Sequence, residues 1–220
     1  MTAAPHAPWS LTGECVVAWA RWRGSALPPD LRPLPGPATV TAARFDQSPV
    51  GPYLELAVGE PARLGARPGM CVTTMVVDSA DSRLGGRANW GFPKELGTLR
   101  WDSRDEERTL SWEERHITVR AVPYGPPMPV ILPVRALQRR ADGMVVVPGR
   151  FWGRGRLSRV QVDVPADDPL AGLARRHPGL LVSGLHLVID PARHPRGLTA
   201  TFRAPLRAPE PALSLPHPGD

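Results

Sequence analysis

Of the 27 basic residues in this 220-residue chain, 26 are arginine and one is lysine, Lys94. At a solvated position either type would serve, because both carry a positive charge. A chain that has gone almost wholly to arginine and kept a single lysine directs attention to what only lysine can do. A guanidinium does not release its proton in a protein, whereas an ammonium can become a neutral, nucleophilic amine. Lys94 stands in the stretch Gly85-Gly86-Arg87-Ala88-Asn89-Trp90-Gly91-Phe92-Pro93-Lys94-Glu95-Leu96-Gly97. Trp90 and Phe92 can pack round the lysine stem and exclude water, and burial disfavours the charged form of an amine. A neutral amine attacks a ketone carbonyl to form a Schiff base. The protonated imine is then an electron sink, into which a β-keto acid can lose CO2 or an α-carbon can lose a proton.

The same stretch resembles a known motif. Gly86-Arg87 followed by Trp90-Gly91-Phe92-Pro93-Lys94 is similar to the Schiff-base lysine segment of the acetoacetate decarboxylase family, where a glycine-arginine pair precedes a short aromatic-containing stretch and then Pro-Lys. Upstream, Ser48-Pro49-Val50-Gly51-Pro52-Tyr53-Leu54-Glu55-Leu56 resembles the family segment that carries an active-site glutamate, which gives that role to Glu55. The two motifs cover residues 44–97. The resemblance implies a mainly β, antiparallel, cone-like double β-barrel with few short helices and an interior site. It also implies no metal, no organic cofactor, a homo-oligomer, and a lysine activated by desolvation or by a cationic neighbour. The decarboxylases carry a second lysine directly after the first, and here that place is taken by Glu95. A carboxylate beside the amine would raise its pKa, but adjacent strand residues face opposite sides, so Glu95 is expected to point away.

Each candidate has a structural alternative. Lys94 could be a surface lysine paired with Glu55 or Glu95. Glu55, between Leu54 and Leu56, faces either solvent or a barrel lumen; in the lumen it would move protons at the imine or the α-carbon. Arg87 could hold a substrate carboxylate bidentately or brace the loop. Trp90 and Phe92 could be pocket wall or ordinary core, and Tyr53 could donate to substrate or simply pack. The six histidines have no metal-ligand spacing, and Cys15 and Cys71 read as buried, inert thiols. No phosphate loop or nucleophile elbow is present.

The elements that must position these residues are short strands punctuated by 28 prolines and 21 glycines. Period-two alternation predicts strands over Cys15–Arg23, Thr39–Phe45, Tyr53–Val58 and Met70–Val77. It predicts a meander over Thr98–Trp101, Thr109–Trp112 and His116–Val122. Further strands follow at Val130–Val134, Met144–Val147, Leu157–Val164, Leu180–Ile189 and Leu198–Phe202. Asp168–Arg176 reads as a helix, and Ser79–Leu84 as a short helix or turn. Residues 1–203 read as one domain, and 204–220 as a loose Pro-rich tail. No apolar run is long enough to span a membrane, and the N-terminus lacks a signal-peptide pattern, which points to the cytoplasm. A net charge of +6 suits an anionic small molecule. The segment Arg150–Arg156, where arginines alternate with aromatics and glycines, could bind nucleic acid, but it also matches a solvated sheet face. The reading is therefore a cofactor-independent Schiff-base lyase, a decarboxylase of β-keto acids acting through Lys94. An aldolase or dehydratase on the same imine, or a silent small-molecule-binding barrel, is the alternative; no nucleic-acid or membrane partner is expected.

Overall fold

The computed structural model describes residues 5–22, 24 and 27–195. Within them the chain forms twelve strands and one α-helix. The first half contains β1 (Trp9–Ala20), the two-residue β2 (Arg32–Pro33), β3 (Ala38–Gln47), β4 (Tyr53–Leu64) and β5 (Arg67–Val77). Helix α1 (Ala80–Trp90) leads into the short β6 (Lys94–Leu96). The meander is β7 (Leu99–Arg104), β8 (Glu107–Trp112) and β9 (Ile117–Pro123). Three long strands complete the described chain: β10 (Met128–Arg140), β11 (Gly143–Asp163) and β12 (Arg175–Ile189).

The hydrogen-bonded order β5-β4-β3-β1-β12-β11-β10 returns to its start, because β10 touches β5 again at the parallel pair Ala136–Met70. The strands therefore close into a ring, antiparallel except at that seam and where β6 runs parallel beside β5. From β11 the sheet also continues through β9, β8 and β7.

Alternation of side chains along a strand separates two cores. On one face, Val16 and Ala18 of β1, Val40 and Ala42 of β3, and Leu56 and Val58 of β4 pack against Leu110, Trp112 and Val119 of the meander. On the other face, Cys15, Ala43, Phe45, Tyr53 and Ala57 point into the ring. The same strands thus serve two apolar interiors, and the odd-numbered positions of β1, β3 and β4 belong to the ring interior, where the candidate site lies.

Two elements differ from the sequence reading. Residues 168–176 are not a helix: a 3-10 turn, Ala171–Leu173, is followed at once by β12. Asp168 accepts the Leu170 N–H at 2.7 Å and pairs with Arg115, so its side chain satisfies locally what a helix would have satisfied. Arg175 and Arg176 then take strand register opposite Val162 and Gln161. Second, Met144–Val147 and Leu157–Val164 are parts of one strand, β11. Its internal glycines are points of close approach rather than turns. A Cβ on Gly149 would lie 2.7 Å from the Val188 carbonyl oxygen, and one on Gly155 would lie 2.6 Å from a Val130 methyl. The predicted strand Leu198–Phe202 and the 204–220 tail lie outside the described residues.

The Arg150–Arg156 segment lies on β11 in the manner of a solvated face. Trp152 stacks on His186 with centroids 5.1 Å apart, Arg156 is paired with Glu106, and Arg150 lies 3.9 Å from Asp190. Among the described residues no helix is long and apolar enough to cross a membrane.

Both cysteines are buried and unpaired. Burial, reinforced by the charge of Glu14, pushes the Cys15 thiol up to about 12; burial with the charge of Glu60 takes Cys71 to about 11. Neither is a thiolate at neutral pH, and the thiolate is the reactive form. Titration with a colourimetric aromatic disulfide at pH 8 is expected to detect no thiol in the native protein and two after denaturation.

Candidate active site

Three neighbouring elements converge on the Lys94 amine, and the sequence dictates each. Helix α1 starts where Ser79 caps it, its hydroxyl accepting the Ser82 N–H at 3.2 Å, with Asp81 in the first turn. It ends where Gly91 adopts the left-handed conformation, φ 71°, and its N–H returns to the Arg87 carbonyl at 3.0 Å. Pro93 follows and cannot continue the helix, so the chain leaves extended and Lys94 opens β6. Lys94 pairs with Met75 of β5, and Glu95, one residue on, is exposed on the opposite side, as alternation requires.

The helix buries Ser82, Gly85, Gly86 and Trp90, which fall on one face at helical spacing. Glycine at 86 is a steric requirement. A Cβ there would lie 2.7 Å from both Cδ and Cε of Lys94, so the lysine stem lies directly against the helix backbone. Ser82, one turn earlier, meets the end of the same side chain.

Lys94 is 3% exposed. Its Nζ donates to Glu55 Oε2 at 2.8 Å and to Ser82 Oγ at 2.8 Å. It also lies 5.1 Å from the centroid of the Tyr53 ring. Glu55 is on β4, two residues from Tyr53 and on the same inward face, with Ala43 of β3 opposite it. Burial, with the charges of Glu55 and Asp78 adding to it against the Ser82 hydrogen bond, holds the Tyr53 hydroxyl well above its usual range. Tyr53 is therefore a neutral phenol that can donate a hydrogen bond.

These groups open on a cavity of about 360 Å³ inside the ring. Tyr53, Glu55, Phe92 and Lys94 all line it. The rest of the wall is mainly aliphatic, with Thr39, Thr41 and Arg135 as the other polar side chains apart from Cys15 and Trp19. A larger hollow of about 750 Å³, lined by Trp19, Arg21, Trp22 and the Arg175–Pro178 segment, lies beyond one end of the ring. No lysine or carboxylate lines it, so the Lys94–Glu55 pair belongs to the smaller space.

Two expected site residues take other positions. Arg87 is exposed and absent from the cavity wall; its Nε donates to the Lys94 carbonyl oxygen at 2.7 Å. That is the bracing alternative, a tie across the helix–strand junction. Trp90 is buried behind the wall rather than in it: its ring meets Trp9 edge-on at 5.0 Å and Phe92 at 5.8 Å, and its Nε1 donates to the Asp190 carbonyl at 2.8 Å. It supports Phe92, which does line the cavity. Ser82 is the participant that sequence reasoning missed. The signal was available once α1 was drawn through the two glycines, since Ser82 and Gly86 are four residues apart. Among the described residues no group of three His, Cys, Asp or Glu side chains is placed to hold a metal ion.

The family model for acetoacetate decarboxylase matches residues 12–128. No curated protein sequence matches the chain. Among solved structures, an acetoacetate decarboxylase from Legionella pneumophila superposes with a TM-score of 0.65 at 17% identity, covering 88% of this chain and 89% of that one. The enduracididine biosynthesis enzyme MppR, complexed with pyruvate, gives 0.66 at 17% identity over 86% and 90%. An acetoacetate decarboxylase-like enzyme from Sphingomonas wittichii gives 0.63 at 16% identity over 87% and 93%.

The packing of Gly86 yields a test. At an exposed helix position, Gly→Ala gains about 1 kcal/mol of stability. Gly86→Ala is expected to do the reverse and cost about 1–3 kcal/mol in urea denaturation, because the methyl overpacks the lysine stem.

Proposed function

Because the chain belongs to the acetoacetate decarboxylase family, we propose that it is a Schiff-base enzyme acting on keto acids, with Lys94 as nucleophile and Glu55 as its proton carrier. The observation that carries this reading is a single buried amine, 2.8 Å from a carboxylate and a hydroxyl, at the wall of an apolar cavity.

The ammonium of Lys94 gives one proton to Glu55, freeing the nitrogen lone pair. The amine adds to the substrate ketone, and Tyr53, which lines the cavity, carries the hydroxyl nearby that can steady the developing oxygen, while Ser82 holds the Lys94 nitrogen. A proton passes from nitrogen to oxygen, and Glu55 returns its own, so the oxygen leaves as water. What remains is an iminium bearing one N–H, with Glu55 again a carboxylate. When the substrate is a β-keto acid, its C–COO⁻ bond then breaks. CO2 leaves and the electron pair moves through the α-carbon to nitrogen, giving a neutral enamine. A proton drawn from solvent and delivered by Glu55 to the α-carbon restores the iminium, and water releases the ketone and the ammonium.

Decarboxylation fits the mainly aliphatic wall. The step turns an iminium and a carboxylate into two neutral species, and separated charges are disfavoured where water is excluded. Arg87 faces away, so the substrate carboxylate is not held there by a guanidinium that would stabilise it as an anion. A second use of the same imine, condensation of a 2-oxo acid, has one observation in its favour: MppR, of similar fold, was captured with pyruvate.

Borohydride reduction in the presence of 2-oxo and 3-oxo acids is expected to fix an adduct on the Lys94 peptide, read by mass spectrometry. Lys94→Arg should give none. Glu55→Gln should retain the fold and lower kcat by about a hundred- to ten-thousand-fold, the usual contribution of a positioned proton carrier. CO2 released from the 3-oxo acid supports decarboxylation, while an adduct with pyruvate alone supports condensation. Absence of any adduct across the panel would overturn the reading.

A further inference from the structure

The cavity is too large, and too apolar along its length, for a short keto acid. At about 30 Å³ for each water-sized group, 360 Å³ holds roughly a dozen such groups, and a four-carbon keto acid occupies little more than half of it. The reactive groups are gathered on one stretch of the wall. Glu55 and Ala43 face each other there, with Lys94, Ser82 and Tyr53 around them.

From that stretch the wall continues along β3 and β4 to Thr39 and Gly59, which are paired four residues further on. Four residues of strand cover about 13 Å. Gly59, Met70, Val72 and Val130 line the cavity with this extension, and Trp19, paired with Thr39, lines its far end. In the opposite direction aromatic rings narrow the space, with Phe45 and Tyr53 in contact at 5.0 Å and Phe92 against Trp90 at 5.8 Å, before Leu11, Leu187 and Ile189 continue the lining. The length without an aromatic ring next to the amine runs along β3 and β4 toward Trp19. It is walled mainly by aliphatic side chains, with the hydroxyls of Thr39 and Thr41 and, beside Ala136 and Met70, Arg135 as its polar groups.

We infer that the substrate is a keto acid carrying an apolar chain of about six carbons, with its carbonyl at Lys94 and its tail lying along β3 and β4 toward Trp19. The inference rests on the Schiff-base reading for the position of the carbonyl; the position of the tail rests on the cavity alone. Each buried methylene contributes enough transfer free energy to change kcat/KM about three- to four-fold while the chain still fits.

The experiment compares straight-chain 3-oxo acids from acetoacetate to 3-oxodecanoate, using kcat/KM for CO2 release and the yield of borohydride adduct on Lys94. It adds octanoate, which has no ketone, as a competitor of substrate and, in direct titration, as a ligand. The expected result is kcat/KM climbing with each added carbon until the cavity is full, with octanoate binding at least ten-fold tighter than butyrate. Thr39→Phe and, independently, Val130→Phe are expected to move the optimum to shorter chains and reduce the 3-oxodecanoate to 3-oxobutanoate ratio at least ten-fold. Adducts at every length with a flat or falling kcat/KM, and octanoate no tighter than butyrate, would overturn the inference while leaving the imine intact. Tight, length-dependent octanoate binding without an adduct from any keto acid would uphold an apolar-chain cavity and overturn the Schiff-base reading, and with it the assignment of a keto acid.

Discussion

A charged amine removed from water must find its hydrogen-bond partners inside the protein, and that constraint organises the centre of this molecule. The cost of desolvating an ammonium is offset only where geometry is good and the remaining donors are used. Here Glu55 and Ser82 each accept from Lys94 at 2.8 Å, and the face of Tyr53 lies within cation–π distance. The three partners come from two elements that never adjoin in sequence: Glu55 and Tyr53 from β4, Ser82 from α1. The amine itself sits at the start of β6. Any slippage of the helix against the sheet would strand a buried charge, and a buried pair that loses one member is destabilised by about 3–5 kcal/mol.

The ring makes that arrangement possible. A sheet with one solvated face could bury Lys94 only by sacrificing its polar side. Closing β5, β4, β3, β1, β12, β11 and β10 on themselves gives an inward face that is enclosed without being filled, and the meander covers the outer face of the same strands. The inward positions of β3 and β4 can then mix polar and small apolar side chains, Glu55 and Tyr53 beside Ala43 and Ala57. The outward positions, Val40, Leu56 and Val58, carry the stabilising core. Site and core are separated by the pleat of one sheet.

Much of this was legible in the sequence, for identifiable reasons. Lys94 stood out because its chemistry could not be replaced by the arginine used everywhere else, and Glu55 was reached through the segment it shares with the acetoacetate decarboxylase family. The strands showed because period two survives wherever one face is buried. The pairing of Glu95 with solvent followed from the same rule. What was not legible depended on contacts between distant segments. Gly85 and Gly86 looked like the end of a helix, but close packing against the lysine stem keeps them inside one, and so Ser82 was overlooked. The glycines of β11 looked like turns for the same reason. Arg87 and Trp90 are near Lys94 in sequence, and proximity along the chain suggested proximity to substrate. The helix geometry turns the first outward and the second into the core behind Phe92. The shelter expected from apolar neighbours proved to include a carboxylate in direct contact, and the proposed mechanism uses it as the acceptor of the amine proton.

Condensation of a ketone with an amine expels the carbonyl oxygen as water, and hydrolysis restores it from solvent, so passage through an imine leaves an isotopic record. The most direct measurement is therefore enzyme-catalysed exchange of oxygen-18 from labelled water into a ketone product. Exchange far above the buffer rate, lost in Lys94→Arg protein that keeps its fold, is the predicted result. Turnover of a keto acid with no label gained beyond the buffer rate, or equal exchange in the Lys94→Arg variant, would contradict it.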